Sequence, residues 1–105
     1  MNSRDKGCRG ERELADFLRK RGWDARRGQQ HSGSPDSPDV ISNLPGIHLE
    51  CKRVEKGQIY DWLAQAKRDC GEKVPVVAHK RNRQEWVAVL PLADLLNLIL
   101  CTGAA

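Results

Sequence analysis

The segment Ile47-His48-Leu49-Glu50-Cys51-Lys52-Arg53-Val54, with Ser37-Pro38-Asp39-Val40-Ile41 shortly before it, decides how this chain folds. Apolar and polar residues alternate through Ile47–Lys52, which is the period of a strand with two unlike faces. Ile47, Leu49 and Cys51 share one face; His48, Glu50 and Lys52 share the other. Asp39 opens a second short apolar run, so two strands bring an acid beside a Glu-x-Lys. Two carboxylates suit a hard divalent cation, and the lysine suits an attacking water or charge growing on a phosphate. The chemistry implied is phosphodiester hydrolysis. A solvent-facing Glu50/Lys52 pair would be worth under about 1 kcal/mol. The apolar flanks argue instead for an interior strand, where two idle charges would be costly. Asp36 lies in a second Ser-Pro-Asp, but only Asp39 precedes an apolar run.

Outward from this core, residues 5–21 carry Leu14, Phe17 and Leu18 at helical spacing, with Gly22 as the stop. Trp23–Arg27 reads as a strand, and residues 28–37 as a polar, turn-rich loop. After the Glu-x-Lys strand, taken as Ile47–Val54, Gly57 precedes a helix reaching about Cys70, with Ile59, Leu63 and Ala66 on one face. Val74–Ala78 is an almost wholly apolar strand suited to a sheet interior. Lys80–Arg83 turns the chain and Glu85–Leu90 returns as a further strand. Pro91 then opens a last helix from its first position. The expected fold is α/β: a mixed sheet flanked by helices, in the order α-β-β-β-α-β-β-α, forming one domain over residues 1–105.

Leu92, Leu95, Leu96, Leu98, Ile99 and Leu100 give that last helix more apolar surface than an exposed helix carries on a small monomer. It is expected in a homodimer interface, or else capping its own sheet. Trp23, Trp62 and Trp86 are expected as core or interface anchors.

Composition narrows the partners. The chain has 105 residues, 18 Lys plus Arg, 14 Asp plus Glu and a net charge of +4. Basic residues cluster at Arg19-Lys20-Arg21, Arg26-Arg27, Lys52-Arg53 and Lys80-Arg81 with Arg83, which favours a polyanion. No apolar run is long enough for a membrane span, and the N-terminus lacks an apolar signal region. The expected location is the cytoplasm, or the host cytoplasm for a phage-encoded protein. Cys8, Cys51, Cys70 and Cys101 lack metal-site spacing and are expected as free thiols.

A helix, three strands, a helix and a strand, with Asp39 and Glu50-x-Lys52 on the second and third strands, resemble the PD-(D/E)XK nuclease superfamily. Gly7-Cys8-Arg9-Gly10-Glu11-Arg12 and Ser32-Gly33-Ser34 narrow the resemblance to the archaeal and phage-type Holliday junction resolvases. The resemblance spans about Gly7 to Val89. It implies a restriction-endonuclease-like sheet and a homodimer that cuts branched DNA with Mg2+, Mn2+ substituting, and with no small-molecule cofactor. On that resemblance Asp39 and Glu50 ligate the metal, with the backbone carbonyl of Cys51 and with Glu11 as further candidates. Lys52 is catalytic, and Ser32 contacts the scissile phosphate. Arg12, His31, Arg53, Lys67, Lys80, Arg81 and Arg83 are the expected nucleic-acid contacts, with Gln65 a further candidate beside Lys67. A nuclease for flaps, nicks or linear duplex, and a non-catalytic nucleic-acid-binding domain with this fold, remain alternative readings.

Overall fold

The computed structural model describes residues 3–28 and 39–102. Its elements are α1 (Ser3–Arg19), β1 (Ala25–Arg27), β2 (Val40–Ser42), β3 (Ile47–Lys52), α2 (Ile59–Asp69), β4 (Val74–His79), β5 (Val87–Val89) and α3 (Leu92–Cys101). The order is the expected one. His31, Ser32 and Asp36 lie outside the described residues.

The strands form one sheet in the order β1-β2-β3-β4-β5. β3 and β4 are parallel, Ile47 opposite Val74 through Lys52 opposite His79, and the other neighbours are antiparallel. Parallel neighbours need a crossover, and α2 supplies it. Because paired residues share a face, Leu49, Val76 and Ala78 point towards α1, where they close a core with Leu14, Ala15 and Val40. His48, Glu50 and Lys52 point to the opposite face with Pro75, Val77 and His79. There α2 covers the sheet with the fully buried Ala66, and the Trp62 ring packs on His79 at a centroid distance of 4.8 Å.

Two glycines set how α1 meets the sheet. Gly22 has φ +93° and ends the helix. Its N–H donates to the Arg19 carbonyl at 3.0 Å, while that of Trp23 donates to Leu18 at 3.1 Å. This closure uses Trp23, so β1 starts at Ala25 rather than at Trp23. Gly10 lies against β3: a Cβ there would stand 2.5 Å from Arg53 Cβ and 3.6 Å from Cys51 Sγ. The missing side chain lets the helix sit close enough for its acids to reach the sheet.

Other boundaries shift by a few residues. β3 stops at Lys52 and β5 contracts to Val87–Val89. Pro91 caps α3 in an extended conformation instead of occupying the first helical position. No residue of α3 is buried, and Leu92, Leu95, Leu96, Ile99 and Leu100 are between 39% and 67% exposed. The helix therefore does not cap its own sheet among the described residues.

Candidate active site

Asp39, Glu50 and Lys52 come together on the α2 face of the sheet. The Asp39 N–H donates to the Leu49 carbonyl at 3.2 Å, and the Asp39 carbonyl accepts from Gly28 at 2.8 Å. That backbone pairing fixes the residue just before β2. Its Oδ2 then accepts the Cys51 N–H at 2.8 Å, tying the carboxylate to β3 beside Glu50. Glu50 is 3% exposed. Burial, the charge of Asp39 and a hydrogen bond between the two carboxyl groups push its pKa up to about 8; Asp69 adds to the rise and Lys52 opposes it. Lys52 Nζ donates to Gln65 Oε1 of α2 at 3.3 Å, which holds the ammonium on this face.

Glu11 reaches the same neighbourhood from α1. Burial raises its pKa, a hydrogen bond from Arg27 lowers it, and the charge of Asp39 raises it again, with a net upward shift. Arg27 Nε donates to Glu11 Oε2 at 2.7 Å. Glu13, two residues on, faces elsewhere: Arg53 Nε lies 2.9 Å from its Oε2 and Lys80 Nζ 3.2 Å from its Oε1.

Cys51 presents its backbone to Asp39 and its side chain to α1. Burial, then the charges of Asp39, Glu11 and Glu13, push its thiol up to about 12, so it stays protonated and inert. All four cysteines are unpaired.

The expected nucleic-acid contacts divide into two groups. Arg12, Lys67, Arg81 and Arg83 are exposed. Arg53 and Lys80 are both engaged with Glu13, and Arg53 also donates to Asn82 Oδ1 at 3.0 Å. Gln65, a further candidate beside Lys67, is the partner of Lys52.

Two residues of the site carry no assigned role in the sequence reading. His48 is 3% exposed and its Nε2 lies 2.8 Å from Glu50 Oε1. The alternation through β3 already put it in phase with Glu50. Arg27, the partner of Glu11, has no such signal. It is placed by the register of β1 on β2, where it stands opposite Val40.

The sequence matches the family model "Archaeal holliday junction resolvase (hjc)" over residues 2–97. The chain belongs to the archaeal Holliday junction resolvase family. That family lies within the PD-(D/E)XK nuclease superfamily and acts on DNA. Among solved structures, the chain is similar to Archaeoglobus fulgidus Hjc, described as a Holliday junction resolvase from an archaeal hyperthermophile. The two are 26% identical with a TM-score of 0.59, over 81% of this chain and 75% of that one. No curated protein sequence matches.

Nucleases of this superfamily are generally divalent-metal dependent, and the donors here suit a hard cation. No group of three or more His, Cys, Asp and Glu side chains is arranged for a metal among the described residues. Magnesium does not require one, since it commonly takes one or two carboxylates and completes its shell with water and substrate phosphate. Asp39 and Glu50 supply two hydrogen-bonded carboxyl groups. Their mutual repulsion is what a cation between them would relieve.

Proposed function

We propose that this resolvase-family chain is a Mg2+-dependent endodeoxyribonuclease, Mn2+ substituting, that resolves four-way junctions as a homodimer of phage or prophage type. The observation that carries this reading is the hydrogen-bonded Asp39–Glu50 carboxyl pair, its Glu50 buried, with Lys52 on the same face.

Asp39 and Glu50 would hold the cation, with the Cys51 carbonyl and Glu11 as further oxygen donors. When bound, magnesium supplies Lewis-acid polarisation of the phosphoryl oxygen and an activated water. Lys52, steadied by Gln65, offsets the charge that grows on the phosphate oxygens. Burial of Glu50 and His48 keeps bulk water from this side of β3 and strengthens each electrostatic contact there. Ser32, carried over from the resemblance, would contact the scissile phosphate, and His31 would contact the nucleic acid. Arg12, Lys67, Arg81 and Arg83 are exposed and free to position phosphates of the DNA arms. Arg53 and Lys80 join them by exchanging Glu13 for a phosphate.

The unburied apolar residues of α3 support a homodimer through that helix, which would set two sites for paired incision. Residues 1–105 act as one nuclease domain in this reading, located in the cytoplasm.

Cleavage of an immobile four-way junction beside a linear duplex, with Mg2+ and with EDTA, tests the reading. The expected outcome is symmetric, Mg2+-dependent nicking of the junction and little cutting of the duplex. Equal cutting of both would remove the junction assignment.

A further inference from the structure

The α2 face of β3 carries a third polar residue, His48, that phosphodiester hydrolysis does not itself require. It is as deeply buried as Glu50, two residues away on the same face, and the pleat alone brings the two side chains together. The Nε2 to Oε1 distance is 2.8 Å. Opposite His48 on β4 stands Pro75, and opposite Glu50 stands Val77, both buried. A polar pair in such surroundings does little for folding. Apolar residues of similar volume often replace buried charged pairs at no cost, or with a gain in stability.

The geometry has a different use. The terminal torsion of a glutamate is broad, so an unheld carboxylate samples many orientations. A donor fixed on one oxygen sets the plane of the group and leaves the other oxygen to a cation. Partners of this kind behind a metal ligand typically contribute about 10–100-fold in metal affinity or activity. Asp39 acts on Glu50 through its charge and a carboxyl hydrogen bond, Lys52 and, from α2, Asp69 through their charges, and none of them is an imidazole or amide donor to Oε1.

We propose that His48 is a positioning residue whose Nε2–H holds Oε1 of Glu50, presenting that carboxylate to the divalent cation it shares with Asp39. The proposal rests on the reading of Asp39 and Glu50 as cation ligands.

Calorimetric titration of Mn2+ into the metal-free full chain tests it at one fixed pH. Wild type is expected to bind and Glu50→Gln to lose binding. His48→Leu should bind about 10–100-fold more weakly, while melting in EDTA at or above the wild-type temperature. His48→Gln places its amide nitrogen near the Nε2 position and should restore most of the affinity; His48→Asn places it near Nδ1 and should not. Junction cleavage at saturating Mn2+ should recover a near-wild-type kcat in His48→Leu, locating the loss in cation affinity. An unchanged Mn2+ affinity in His48→Leu overturns the proposal. So do equal affinities in the Gln and Asn variants, a comparison that decides the matter even if the Leu variant does not fold. If Glu50→Gln still binds Mn2+ as wild type does, the ligand reading itself fails, and this inference falls with it.

Discussion

Leu49 and Glu50 are neighbours on β3, buried to the same depth at 5% and 3% exposure, yet they face different helices and different chemistry. Leu49 joins Leu14, Ala15, Val40, Val76 and Ala78 in the core beneath α1. On that side even Cys51 is silenced, its thiol pushed up to about 12. Glu50 lies under α2 with His48, Lys52 and the hydrogen-bonded Asp39. One face removes apolar surface from water, which stabilises the fold. The other brings like charges together in a poorly solvated place, which opposes folding unless a cation is present. The contrast teaches that the site is carried by the core on its reverse side.

The largest effects should separate the two faces by what they damage. Asp39→Asn is expected to reduce Mg2+-dependent junction cleavage to background, and Lys52→Ala to lower kcat by about 100-fold or more. Both variants should melt in EDTA within a few degrees of wild type. Leu49→Ala should do the reverse, losing about 2–5 kcal/mol in denaturant unfolding while the folded fraction keeps its kcat. A severe fall in stability from Asp39→Asn, or a specific catalytic defect from Leu49→Ala, would break the division.

A smaller effect follows from pH. The pKa of Glu50 is raised from 4.5 to about 8, so between those values the folded protein holds a proton that the unfolded chain has lost. Metal-free stability should therefore fall as pH rises through that window. Melting temperatures in EDTA check this, and Glu50→Gln should remove the slope. Excess Mg2+, which selects the ionised carboxylate, should flatten it.

Much of this contrast was legible in the sequence, because a strand that alternates polar and apolar residues states its two faces directly. The element order and the grouping of Glu50 with Lys52 follow from period and position, and Asp39 meets β3 from the head of an apolar run. What could not be read was which polar groups would meet across elements. Gln65 looked like a candidate for DNA because helix periodicity gives its direction but not its distance from Lys52. Arg27 read only as half of a basic pair, since its contact with Glu11 depends on how β1 registers on β2 and on how closely Gly10 lets α1 approach. His48 was in phase with Glu50, but alternation alone cannot distinguish a buried partner from a solvated neighbour. The α3 surface was legible as excess apolar area; its failure to cap the sheet required the packing itself.

The finest test of the comparison lies in two glutamates on one helix. Glu13 belongs with the structural face: Arg53 continues the Leu49 and Cys51 side of β3 and, with Lys80, holds this carboxylate. Burial acts to raise the Glu13 pKa, but the hydrogen bonds and charges of Arg53 and Lys80 together carry it below the usual 4.5. Its sign is thus opposite to that of Glu50. Glu13 adds stability above the unfolded value, and that stability is lost as pH falls through the folded one. The side chain is 40% exposed, so Glu13→Gln should cost under about 1 kcal/mol and leave cleavage intact. Glu11→Gln, whose carboxylate responds to Asp39, should instead weaken Mg2+-dependent cleavage with little change in acid stability. Unfolding curves near pH 4 and near pH 7, read beside junction cleavage for both variants, check the pair. If Glu13→Gln proved the more damaging to cleavage, Glu13 would have to be moved from the structural face to the site.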